Sequence, residues 1–147
     1  MITYSPGDVR SDWDYLYYQG RCLRIEWYYT SDGRMPGLEY YLTLPEKDQE
    51  RLDYMVKYLA DNAPAARLPK SLFRLEDPRN RIFAFKPRAE RFFNFFAQER
   101  RIIIINAFKK HSRKMTKDDI EKLRLAARLR EDYLRRVSER SYYEAKA

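Results

Sequence analysis

Apolar and polar positions alternate along this chain in two distinct rhythms. Between Arg81 and Lys114 three short runs, Arg81–Phe85 (RIFAF), Phe92–Ala97 (FFNFFA) and Ile102–Phe108 (IIIINAF), are rich in aromatic and β-branched residues. Each is bounded by charge or by Pro87, a pattern that predicts three consecutive antiparallel strands. Ile102 to Ile105 shows no polar alternation, so the last of these strands is expected at the centre of the sheet, covered on both faces. Upstream, Cys22–Thr30 (CLRIEWYYT) alternates apolar and charged residues and predicts the first strand, ending at the turn Ser31-Asp32-Gly33. Leu72–Glu76 (LFRLE) predicts a further short strand before the turn Asp77-Pro78-Arg79-Asn80.

The second rhythm is helical. Leu52, Met55, Val56 and Leu59 fall at i, i+3, i+4 and i+7, predicting an amphipathic helix over Glu46–Ala60, with Thr43 and Glu46 expected to form its capping box. Thr116, followed by Asp118 and Asp119, marks a second helix start, since acidic groups suit the positive end of the helix dipole. Its expected buried stripe is Ile120, Leu123, Ala127, Leu134 and Val137, with arginines on its other faces. Arg34–Tyr41 reads as loop or one helical turn. The order implies an α+β domain: a small antiparallel β-sheet packed against a helix of the N-terminal half, with a basic C-terminal helix. Residues 1–20 read as an N-terminal extension, 21–138 as the domain and 139–147 as a frayed tail.

Charge sharpens this picture. The chain of 147 residues carries 30 Lys and Arg against 22 Asp and Glu, a net charge of +8. Through Ala66 there are 7 basic and 11 acidic residues, net −4; beyond it 23 and 11, net +12. A polyanionic partner is therefore expected on the C-terminal half. The predicted central strand ends in Lys109, Lys110, His111, Arg113 and Lys114, which would hold cations at one spot.

Several chemistries find no support. With Cys22 as the single cysteine, an intramolecular disulfide and a cysteine-based zinc site are excluded. The four glycines form no phosphate-binding loop, and one histidine without paired carboxylates makes a poor metal-ligand set, so neither a cofactor nor a metal is expected. No run approaches the ~18 apolar residues of a membrane span and no signal-peptide core is seen, so a cytoplasmic protein without membrane partners is expected.

A cation-and-aromatic site can still cut RNA. The 2′-hydroxyl attacks its own neighbouring phosphate, so a protein need only position the strand, move a proton and stabilise charge. Imidazole, with a reference pKa near 6.5, suits the proton transfers, and so does a lysine lowered by neighbouring cations. Aromatic rings hold splayed bases by stacking. His111 is the candidate proton carrier, with Lys114 as its alternative. Arg74, Lys86, Arg88, Lys109 and Tyr133 are the candidate RNA-contacting side chains.

The stretch LPKSLFRLEDPRNRIFAF, a following hairpin, and RRIIIINAFKKHSRKMTKDDIEKLRLAARLREDYL resemble the HigB branch of the RelE/ParE toxin superfamily, a phage-derived-protein group. That family shows a strand with Glu-Leu-Arg, an Arg opening the next strand, and a strand ending in Phe-x-Lys-Lys-Thr-x-Lys-Thr-Pro. The resemblance spans about Leu23 to Leu134 and implies a RelE-like fold. It further implies a type II toxin that cleaves mRNA, commonly on the ribosome, and is neutralised by a helix-turn-helix antitoxin. Matched by position, Arg81 takes the place of the strand-opening Arg that contacts the scissile phosphate. Lys110 and Lys114 match family lysines, and His111 stands at the second lysine of the pair. Met115-Thr116 replaces Thr-Pro, and Phe73-Arg74-Leu75-Glu76 departs from Glu-Leu-Arg. On this reading Arg81, Lys110 and Arg113 bind and stabilise the phosphate, His111 or Lys114 carries protons, and Tyr133 stacks. Two alternatives stay open: a ParE-like non-enzymatic gyrase inhibitor, and an RNA-binding module with a degenerate site.

Overall fold

The computed structural model describes residues 12–64 and 67–143. Its elements run α1 (Asp12–Tyr15), β1 (Leu16–Gln19), β2 (Arg24–Trp27), α2 (Pro36–Leu42), α3 (Glu46–Asn62), β3 (Phe73–Asp77), β4 (Ile82–Phe85), β5 (Glu90–Ala97), β6 (Arg101–Lys109) and α4 (Lys117–Ser138). The α+β expectation holds. The strands form one six-stranded sheet in the order β1-β2-β6-β5-β4-β3. It is mixed rather than purely antiparallel, because β2 pairs parallel to β6, Arg24 opposite Arg101 and Trp27 opposite Ile104. A parallel pair needs a long crossover, and here α2, α3 and β3–β5 supply it.

β6 is the central strand, as its isoleucines imply. Ile102, Ile103, Ile104 and Ile105 are all fully buried, each contributing about 1.5–3 kcal/mol of burial. On one face α2 presses so closely that a Cβ on Gly37 would lie 3.3 Å from Ile104 and 3.2 Å from the Trp27 ring. On the other face α4 packs on β5 and β6, where Tyr133 meets Phe95 edge-on at 5.3 Å.

Several expectations are corrected. Leu16–Gln19, placed in a draped extension, is an edge strand of the sheet; residues 1–11 lie outside the described residues. The tail beyond Ser138 is not frayed as far as Tyr143: Tyr142 is 1% exposed in the core. Thr43 and Glu46 make no capping box, because Pro45 is the N-cap of α3 and the Thr43 hydroxyl donates to the Tyr40 carbonyl at the end of α2. Thr116 and Asp119 do form one on α4. The buried face of α4 is rotated from the predicted stripe: Asp119, Ala126, Tyr133 and Arg136 point in, while Ile120 and Leu134 are each 38% exposed. Counting only aliphatic residues as inward missed a tyrosine and an arginine whose polar ends find buried partners.

Candidate functional site

Strand register brings four strand ends to one place. Phe73 lies opposite Phe85, Phe85 opposite Phe92, and Glu90 opposite Lys109, so the start of β3, the end of β4, the start of β5 and the end of β6 are neighbours. Side chains alternate across the sheet, and those on the α4 face line a groove of about 460 Å³. Arg74, Lys86, Arg91, Lys110, His111 and Arg113 surround it, with Glu76 as the one carboxylate of its wall. Phe93 and Phe108, with ring centroids 5.4 Å apart, form its apolar side.

Arg91 is the best-positioned cation. One guanidinium nitrogen donates to the carbonyls of Arg88 (2.7 Å) and Glu90 (2.8 Å), which fixes the planar head against the backbone. Arg91 forms no ion pair among the described residues. Burial, opposed by the Glu76 carboxylate and reinforced by Arg74, holds its pKa below the usual arginine value. Burial also lowers Lys86, and Arg91 and Arg74 lower it further. Cations that disfavour one another's charge in a cleft attract a phosphate strongly, because an anion relieves both costs at once. Arg74 is partly neutralised by Glu76 at 3.2 Å.

The Lys110 ammonium at the groove is engaged within the protein. Its ammonium donates to the Lys114 carbonyl (2.7 Å) and to the Asp119 carboxylate (3.0 Å), and its side chain is only 11% exposed. Burial opposes ionisation of Asp119, but hydrogen bonds from the Thr116 N–H and from Lys110 keep its carboxyl below the usual range. Lys110 therefore ties the loop 111–116 to the start of α4, and that loop presents His111 and Arg113 to the groove.

The structure brings together Arg74, Lys86, Lys110, His111 and Arg113, and sets Lys109 in an adjoining cavity with His111. Four predicted residues fall elsewhere. Arg81 stands in the turn before β4 with φ 57°, at the opposite end of that strand, about 15 Å of extended chain from Lys86. It does not share the groove. Arg88 is exposed in the β4–β5 turn, with φ 60°, and lends its carbonyl to Arg91. Lys114 contributes a carbonyl to Lys110 and Ser112, not a side chain to the groove. Tyr133 is 2% exposed, packed among Phe95, Tyr142 and Tyr143, and burial pushes its phenol up to about 12. It is a core residue and cannot stack on a base.

Arg91 is the residue that sequence reasoning missed. It, not Arg81, stands near the start of the strand lying beside the one with the cationic end. Hairpin counting held the signal: Ala97 opposite Arg101 leads back to Arg91 opposite Phe108, once a bulge between Phe93 and Asn94 is allowed.

Fold and groove together define a basic α+β protein with an open, cation-lined cleft at one end of its sheet. Residues 39–128 match the family described as phage derived protein Gp49-like (DUF891), and the chain belongs to this toxin-like family. The match contains every residue of the groove and leaves out β1, β2 and the Tyr142–Tyr143 segment. A search of curated proteins returns no match. Among the described residues no helix is long and apolar enough to cross a membrane.

Proposed function

We propose that this chain is the toxin of a type II toxin–antitoxin pair: a metal-independent endoribonuclease of the HigB and RelE kind. It cleaves mRNA in the cytoplasm, on the ribosome, and is held in check by a helix-turn-helix antitoxin. The observation that carries this reading is the convergence of Arg74, Lys86, Arg91 and Arg113 on one groove with an imidazole in its wall, in a member of a toxin-like family. A wall of cations repels a metal ion and suits a phosphorane, so the chemistry fits attack by the RNA 2′-hydroxyl.

In this mechanism Arg91, rigid and already oriented, holds the scissile phosphate and stabilises its developing charge, assisted by Arg113 and Arg74. Arg81 has no part in it. His111 and Lys86 are the proton carriers: an imidazole accepts a proton at one ring nitrogen and donates from the other, and burial and neighbouring cations ease proton loss from Lys86. Lys110 positions the His111 loop. The Phe93 and Phe108 rings supply the aromatic wall that Tyr133 does not.

Purified, EDTA-treated and desalted protein is expected to cut ribosome-bound mRNA with no metal added beyond the magnesium that the ribosome requires, leaving 2′,3′-cyclic or 3′-phosphate ends. Products with 3′-hydroxyl ends would reject the mechanism. One observation favours a second reading, an RNA-binding module without activity: the family lysine Lys110 is consumed internally. Under it, RNA binds the groove uncut and Arg91→Ala leaves growth inhibition unchanged.

A further inference from the structure

Beside the groove lies a second, larger cavity of about 760 Å³, and Phe108 and His111 line both. Its position follows from the alternation of side chains at the end of β6, where Lys110 and Lys109 turn to opposite faces of the sheet. Three ammonium groups, those of Lys109, Lys117 and Lys122, come to it from the strand end and from the first two turns of α4. All three residues are exposed. Of the two carboxylates in its wall, Asp119 is already engaged by Lys110 and the Thr116 N–H, leaving Asp118 against three cations. Tyr40 forms the far wall. Its hydroxyl donates to Glu90 and its ring meets Phe92 edge-on at 5.8 Å, so the phenol is held in place.

We infer that this cavity is a second nucleotide site, and that a single RNA strand crosses from the groove, over His111, into it. The strand sets its scissile phosphate among Arg91 and Arg113. The adjoining nucleotide lies in the cavity, its phosphate on Lys109, Lys117 and Lys122 and its base against Tyr40 and Phe108. The volume falls within the range of about 300–1,000 Å³ that small-ligand sites occupy, enough for one unstacked nucleotide. An A-form duplex, whose bases stay stacked, cannot place a base there. The substrate is thus an extended single strand of at least three nucleotides, its two phosphates read by two cation sets on either side of His111. This inference rests on the RNA reading of the groove.

The test is binding of 2′-O-methyl RNA oligomers of about two, four and six nucleotides, which cannot be cleaved by 2′-hydroxyl attack, followed by fluorescence anisotropy over a salt series. Lys117→Ala/Lys122→Ala is expected to weaken the longest oligomer about 10-fold and to lower the salt slope by about 1–2, with little effect on the shortest. Lys117→Arg/Lys122→Arg restores both, and unchanged circular dichroism shows the fold intact. If the double alanine variant keeps full affinity, slope and length dependence while Arg91→Ala loses affinity, the second site is refuted and the groove reading stands. If neither variant alters binding, or the wild-type chain binds no RNA, both fall. If double-stranded RNA or poly-glutamate displaces the longest oligomer as well as its unlabelled copy does, the cavity is a general anion surface and the strand path is refuted.

Discussion

Two sets of arginines on this sheet have opposite fates. In the groove, Arg91 and Arg113 pair with no carboxylate among the described residues, and Arg74 shares one. Around β2, by contrast, Arg24, Arg101 and Arg136 each have a carboxylate partner. Glu26, fully buried, accepts from Arg24 Nε at 2.6 Å and the Tyr143 hydroxyl at 2.7 Å, and pairs with Arg101 at 3.2 Å. Arg136, 5% exposed, donates to Asp132 (2.8 Å) and to the Tyr29 carbonyl (2.7 Å), with the Tyr29 and Tyr142 rings 4.7 and 4.8 Å from its guanidinium. The Tyr142 hydroxyl accepts from the Tyr29 N–H at 3.0 Å, and the Tyr29 hydroxyl donates to the Tyr142 carbonyl. This second region is a latch that fastens the C-terminal segment to the first strands. The same residue type is structural where its donors are consumed and available for a ligand where they are not. Counting arginines cannot separate the two; accounting for their partners can.

The sharpest way to break this contrast is to remove one arginine from each side. Arg136→Ala takes the donor from the Tyr29 carbonyl and one of three donors from Asp132, which keeps the Tyr28 hydroxyl and Arg135, and is expected to cost about 2–3 kcal/mol of stability in urea unfolding. Arg91→Ala should leave unfolding within about 1 kcal/mol of wild type, since its guanidinium donates to exposed or half-buried carbonyls. The same change should lower RNA cleavage about 100-fold, the effect of deleting one preorganised charge-stabilising group. Equal destabilisation by both variants would erase the distinction.

Smaller effects refine it. Tyr143→Phe removes one of the donors to buried Glu26 and is expected to cost about 1–2 kcal/mol, read from the thermal midpoint, without changing RNA affinity. The smallest effect is a pH dependence in the groove. Lys86 has a lowered folded-state pKa, so as pH rises through that value the folded protein releases a proton that the unfolded chain still holds. Stability should therefore rise with pH over the interval up to the ordinary lysine value, while polyanion affinity falls as one groove charge is lost. Lys86→Gln should abolish both trends; trends unchanged by that substitution would assign the titration to another group.

How much of this was written in the chain depends on the kind of interaction. The Leu52, Met55, Val56 and Leu59 spacing marked α3, the unbroken isoleucines marked the central strand, and Thr116 with Asp119 marked the start of α4. The groove itself was half legible: the run from Lys109 to Arg113 announced a cationic end, but its partner on the neighbouring strand was assigned to Arg81. The strand RFFNFF and the strand RIFAF both open on arginine, and local pattern offers no choice between them. Only pairing decides, because β5 lies between β4 and β6 and carries Arg91 at the cationic end, whereas β4 runs antiparallel to it and leaves Arg81 at the other.

Amino-acid order by itself determined the periodicities, the helix cap on α4 and the concentration of positive charge in the C-terminal half, because each is a matter of neighbours along the chain. Tertiary structure decided the rest. The parallel join of β2 to β6 and the docking of Tyr142 and Tyr143 bring together residues more than 70 positions apart, and they consume Arg101 and Arg136. The antiparallel turn from β4 to β5 places Arg91 in the groove and takes Arg81 out of it. Whether a charge is spent inside the protein or left for a ligand is a property of distances in space, and chain order does not contain them.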